Sequence, residues 1–301
     1  MELWIPITIA AAFLQNLRTA AQKKLQGSLG TTGASFVRFG FGFPVAILYV
    51  LGLHYLAGRQ IPQISAPFLF WALVGGLAQI AATIVLVHMF TLRNFAVGTA
   101  YSKTEPVQAA LFGLVILGER LTAGAVWAIF VGVIGVMLIS VARVPLSWRS
   151  LLSALVGKTA LIGISSGALF GISAVAYRSA ALSLGGEDRM MQAALALAVA
   201  TTMQTAVMVV WMAIRDRKEF RRVARAWRSS TVVGLASVVG SACWFTAMAL
   251  QPVAYVRALG QIELIFTFAT SFFVFKEKIN PLEIAGCLLI VSGILLLLSH
   301  A

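Results

Sequence analysis

The feature that most constrains this 301-residue chain is a succession of long apolar runs separated by short, breaker-rich connections. The runs lie at about 3–22, 33–56, 67–90, 96–117, 122–141, 158–184, 190–214, 229–250, 253–275 and 281–299. Each is close to the ~20 residues a helix needs to cross the hydrocarbon core. The strands of a membrane barrel would instead be ~10-residue segments of alternating polarity. The segments Gly27–Gly33, Gly58–Pro62, Gly185-Gly186, Gln251-Pro252 and Asn280-Pro281 punctuate the runs. The pattern predicts an all-α polytopic membrane protein with ten transmembrane helices. Composition agrees: 60% of residues are apolar and 11% charged, against roughly 25% charged in a soluble domain. That leaves too little polar surface for a water-soluble enzyme. Met1-Glu2-Leu3-Trp4 lacks the basic region of a signal peptide and reads as the start of the first span.

The formal charge of +13 sits mostly in loops, the pattern of orientation signals and headgroup contact rather than of nucleic-acid binding. With ten spans, the odd-numbered loops share one side and hold 15 of the 23 Lys and Arg, seven of them between Arg215 and Arg228. The even loops hold three, Arg59, Arg120 and Arg189. The positive-inside rule then places the odd loops in the cytoplasm and both termini outside. Phe220, Val223, Ala224 and Trp227 recur at helical spacing, which suits an interfacial helix on anionic lipid; a solvated topology anchor is the plainer reading. Cys243 and Cys287 lie in apolar runs without metal-ligand spacing and read as buried thiols.

Sliding the second half against the first by 158 positions superposes Glu105 on Glu263, Glu119 on Glu277, Arg120 on Lys278, and Thr122 on Asn280, both plausible N-caps. Four of only ten acidic residues match in this way. The organisation expected is a five-helix repeat at 3–141, a linker at 142–157 and a second five-helix repeat at 158–299. Five is odd, so the second copy enters the membrane inverted. Inverted repeats give two nearly equivalent arrangements open to opposite sides, which suits alternating access.

Glu105-Pro106-Val107 followed by Leu117-Gly118-Glu119-Arg120-Leu121-Thr122 resembles the drug/metabolite transporter superfamily, in particular its EamA-type ten-helix members. Glu263 with Phe275-Lys276-Glu277-Lys278-Ile279-Asn280 resembles a degraded second copy. The resemblance implies a transporter of two five-helix units. Members of that family are described with both termini in the cytoplasm, opposite to the charge count here. The small four-helix multidrug relatives bind cations through an acid in their first span. This first span has Gln15, Asn16 and Arg18 instead, so that mechanism is disfavoured.

Ionisable groups at membrane depth are functional candidates by default. Glu105 and Glu263 are expected to bind substrate or coupling protons near the repeat interface. Glu119 and Glu277, at span ends, are expected to cap or bridge helices. Lys103, Arg38 and Arg257 are candidate anion-attracting groups in basic vestibules, whereas Arg18 and Arg178 are expected to snorkel. Tyr101 and Gln108 share a helix face with Glu105. Gln261 and Trp244 are lining candidates, with Gln79, His88 and Gln204 behind them. Gly163, Gly167 and Gly171 should let the sixth span pack closely within the chain.

The function expected is secondary active transport of a small zwitterionic or anionic metabolite such as an amino acid, by alternating access, with protons as the candidate coupling ion; the resemblance implies export, with import and exchange left open. A nucleotide-sugar or phosphate-ester exchanger is the alternative, and would need bases converging at the cavity centre. A lipid-handling enzyme or flippase component is the alternative of another class. No catalytic constellation, metal motif or cofactor motif is visible, so no enzyme, metal or cofactor is expected. The partners expected are a small-molecule substrate and the lipid bilayer, the protein being a monomer or homodimer in a bacterial inner membrane.

Overall fold

The computed structural model describes residues 2–25, 28–89, 102–141, 158–266, 269 and 280–299. These residues form α1 (Trp4–Leu25), α2 (Thr31–Gly40), α3 (Phe43–Tyr55), α4 (Ala66–Met89), α5 (Glu105–Leu117) and α6 (Ala123–Val141), then α7 (Lys158–Ser183), α8 (Arg189–Arg215), α9 (Arg217–Arg225), α10 (Trp227–Leu250), α11 (Val253–Leu259), a 3-10 turn at Gly260–Ile262, and α12 (Pro281–Leu298). No strand occurs among the described residues. Among the described residues, six helical segments are long and apolar enough to cross a bilayer: Thr31–Tyr55, Ala66–Met89, Leu161–Ser183, Arg189–Arg215, Trp227–Leu250 and Pro281–Leu298.

Local chemistry explains the boundaries. Gly118 takes a left-handed conformation (φ 67°) and ends α5, where a side chain would be strained. The Thr122 hydroxyl accepts from the Ala125 N–H at 3.2 Å before α6. Asn280 and Glu283 form a reciprocal capping box that starts α12. Asp188 caps α8 and also receives Arg59 at 2.5 Å, joining two loops. The second run is helical from Thr31 to Tyr55 but broken at Phe41-Gly42. Pro44 carries no N–H to continue the ladder, so the chain turns there.

Packing comes in matched pairs. α4 lies on α7, and α1 on α10; α4 meets α8, and α2 meets α10. α5 packs on α7, and α1 on α11 and the 3-10 turn. α6 and α12 pack tightly and antiparallel, because glycines let their backbones touch. A Cβ on Gly135 would lie 2.6 Å from the Gly286 carbonyl and 2.9 Å from Ile290 N. One on Gly293 would lie 2.9 Å from the Ala128 carbonyl and 2.9 Å from Gly132 N. These two sets of contacts exchange when residues 158 apart change places. Gly167 and Gly171 serve α7 in the same way: Cβ atoms there would meet the Ser102 carbonyl at 2.8 Å and Ala109 N at 3.3 Å, so this face is used within the chain.

Leu25, Leu29, Val37, Val87, Met212 and Val233 form an apolar plug where α1, α2, α4, α8 and α10 meet beside the basic Arg215–Arg228 stretch. Toward the opposite end, α1, α3, α8 and α10 line an open cavity of about 300 Å³ that includes Ile7, Val45, Tyr49, Met190, Cys243 and Thr246.

Candidate functional site

The two matched acids both stand where helix begins inside the bundle. α5 starts at Glu105 and has 13 residues, about 20 Å of helix, shorter than the ~30 Å hydrocarbon core. Glu263 follows the 3-10 turn that interrupts the ninth run. A helix start presents free N–H groups and favours negative charge. Each carboxylate then takes its base from the other half of the chain. Lys103 Nζ donates to Glu263 Oε2 at 2.9 Å, and Arg257 Nε faces Glu105 Oε1 at 3.0 Å.

The two pairs are unequal. Glu263 also receives the Gln15 amide at 2.7 Å, and its carbonyl faces Asn16 Nδ2 at 3.5 Å. The Glu105–Arg257 contact lacks hydrogen-bond alignment at both atoms. Arg257 instead lies over the Trp244 ring, 4.6 Å from its centroid. That ring presses on Gly260, where a Cβ would meet it at 2.4 Å. The residual space among Gln15, Lys103, Glu105, Trp244, Arg257, Gln261 and Glu263 is about 20 Å³, roughly one water.

Two further arginines act on the same cluster. Arg18 is 5% exposed and lies within Coulombic reach of Glu263 and Arg257. Its Nε has no hydrogen-bond partner among the described residues. Arg38 is 7% exposed, donates to the Thr83 hydroxyl at 3.0 Å and is within reach of Glu105 and Arg257. Arg38 also lines a space of about 10 Å³ with Gln79, Thr201, Ser237 and Phe245, whose walls Leu197 and Val238 are shared with the large cavity. Among the described residues, two bases contact the two acids and two more lie within Coulombic reach of them.

Several expectations are corrected. Lys103 and Arg257 do not line vestibules at opposite ends but contact the acids, and Arg38 lies within Coulombic reach of Glu105. Arg18 and Arg178 do not snorkel. Arg178 donates to Glu119 at 2.5 Å and to the carbonyls of Met248 and Gln251 at 2.5 and 2.8 Å, holding the end of α10. Glu119 thus bridges helices, one of the two roles expected of it, and Glu283 takes part in the cap of α12. Gln108 turns away from the cluster, donating to Thr104 at 3.2 Å and the Ile164 carbonyl at 3.4 Å. Gln261 lines the cluster and packs on Gly132. Gln79 and Gln204 join Tyr177 in a buried triad, each contact 2.9–3.0 Å. Tyr101 and Glu277 lie outside the described residues. Phe220 and Val223 pack into the protein rather than toward lipid, with Val223 buried, while Ala224 and Trp227 are exposed.

The sequence matches the EamA-like transporter family over residues 2–141 and 157–299. The chain belongs to that family, whose members are transporters rather than enzymes, and is an integral multi-pass membrane protein. A solved crystal structure that is 17% identical has the same fold, with a TM-score of 0.70, covering 97% of this chain and 95% of its own. A stretch of 64 residues, 21% of this chain, is 36% identical to a protein from Arabidopsis thaliana described as a probable magnesium transporter NIPA1; the match spans 19% of that relative's length.

Reasoning from sequence alone did not assign Gln15 to the site. Its signal was available: a Gln-Asn pair interrupting the first apolar run three residues before an arginine. What it could not supply was the partner, 248 residues away.

Proposed function

We propose that this EamA-family protein is a secondary transporter of small anionic metabolites, working by alternating access through ten spans arranged as two inverted five-helix repeats. The antiparallel contact of α6 with α12 supports the inversion, because those helices occupy equivalent places in the two halves and exchange contacts at the 158-residue offset. The cavity at one end and the apolar plug at the other support a carrier open to one side.

The observation that carries the substrate class is the excess of buried bases at the cluster. Two uncompensated positive charges at membrane depth are costly, and a bound anion would offset them. Arg18, with an unpartnered Nε, and Arg257, held beside Glu105 without hydrogen-bond alignment, are the groups a carboxylate or phosphate would engage. An incoming anion competes with Glu105 for Arg257, and a proton taken up by the displaced carboxyl would couple the two movements. Export of an organic acid, including an acidic amino acid with its net negative charge, fits this scheme. The phosphate-ester exchanger is favoured by the same convergence of bases, since an empty carrier with unneutralised charge reorients poorly. A magnesium cargo, as in the name of the plant relative, fits a base-rich centre badly. A flippase role is less suited too, because these bases share one central cluster.

Proteoliposomes assayed against mono- and dianionic, zwitterionic and cationic solutes, with and without a pH gradient, test the reading. Anions should be carried, and Glu105→Gln should abolish coupled transport in a protein that still folds. Transport restricted to zwitterions or divalent cations, or a wild-type rate in Glu105→Gln, would overturn it.

A further inference from the structure

The basic stretch between α8 and α10 does more than mark orientation. Its helix α9 lies on α2, with Glu219 turned inward and no surface exposed. Glu219 Oε2 accepts the Gly30 N–H at 3.0 Å, at the first turn of α2, and Oε1 accepts from Arg222 at 2.6 Å. Gly33 is the cradle for this carboxylate: a Cβ there would lie 2.1 Å from Oε2. One turn further on, Val223 enters the apolar plug beside Leu25, Leu29 and Val37. The inner face of α9 is thus part of what closes the basic end.

The outer face carries charge. All seven lysines and arginines between Arg215 and Arg228 are exposed. Trp211 and Trp227 flank them, 51% and 56% exposed. Arg215 and Arg228 lie 5.9 and 5.5 Å from the respective ring centroids. Exposed indoles beside arginines, at the level where two spans end, match the headgroup layer of a bilayer. The charge complements anionic phospholipid.

We propose that α9 is a latch set by anionic phospholipid: headgroups on its basic face hold the helix, and with it Glu219, on the start of α2, keeping the basic end shut and the opposite cavity open. The consequence for transport rests on the alternating-access reading, but lipid binding and closure are measurable without any substrate.

Cys243 lines the open cavity and is one of two cysteines. The full chain carrying Cys287→Ser is reconstituted in phosphatidylcholine with or without phosphatidylglycerol, and labelling of Cys243 by an impermeant maleimide is timed. Phosphatidylglycerol should raise the labelling rate by about five-fold or more, the lower range of ordinary allosteric coupling. Replacing Arg217, Arg221 and Arg225 by Gln should remove the lipid dependence, and replacing them by Lys should keep it. Glu219→Gln and, independently, Gly33→Ala should hold the rate low in both lipids. Equal labelling of the parent protein in the two lipids would overturn the latch, as would full lipid dependence in the Gln triple variant. A matching effect of soluble glycerol phosphate in phosphatidylcholine would overturn the membrane as its source. The parent comparison stands even where a variant fails to fold.

Discussion

Glu105 and Glu263 hold equivalent places in the chain but unequal company. Glu263 is anchored by Lys103 and Gln15, whereas Glu105 holds Arg257 loosely, beside Trp244. Glu263→Gln would leave Lys103 without its counter-charge in a cluster already rich in bases. Breaking a buried pair from one side costs about 3 kcal/mol or more, so a clear fall in thermal midpoint in detergent is expected. Glu105→Gln should be milder, about 1 kcal/mol, the scale of one net polar contact, while removing coupling. Equal losses in the two variants would contradict this division of anchored and mobile acids.

Among the elements, α6 and α12 show how small residues decide geometry. Lipid tails are as apolar as the helices, so close association relies on backbone approach at glycine. Gly286→Leu would drive a side chain into the Gly135 carbonyl and Ile139. We expect a destabilisation of about 1–3 kcal/mol from overpacking, read as earlier unfolding in denaturant, whereas Gly52→Leu, in open space, should leave the midpoint unchanged. The break between α2 and α3 was legible only in part. Gly40, Gly42 and Pro44 are visible punctuation, yet the run around them is long and apolar enough to read as one span. The start of α5 at Glu105 was likewise hidden, because an interrupted helix that lines a site has the same hydropathy as a continuous one.

For the whole molecule, the cavity beside Cys243 and the apolar plug beside the basic stretch lie toward opposite ends. An impermeant maleimide should reach Cys243 only from the side bearing Gly58, Gly185 and Gln251, not from the side of the Arg215–Arg228 stretch. Labelling in right-side-out and inverted vesicles checks this and also decides between the charge count, which puts the termini outside, and the family resemblance, which puts them inside. Reaction from both sides at similar rates would contradict the plug at the basic end.

Apolar runs and their glycine and proline punctuation were enough to specify a helical membrane protein, because those patterns are local or simply periodic, and the resemblance carried by Glu105-Pro106 and Leu117–Thr122 added transport. The pairing of charges is not local. Nothing in the spacing of Lys103 and Glu105, two residues apart and on different faces, says that each meets a partner about 150 residues away. Nor does a basic loop disclose that its one buried acid, Glu219, sits on the first turn of α2. Long-range partners depend on which helix faces meet, and van der Waals contact between small residues decides that only once the bundle is assembled.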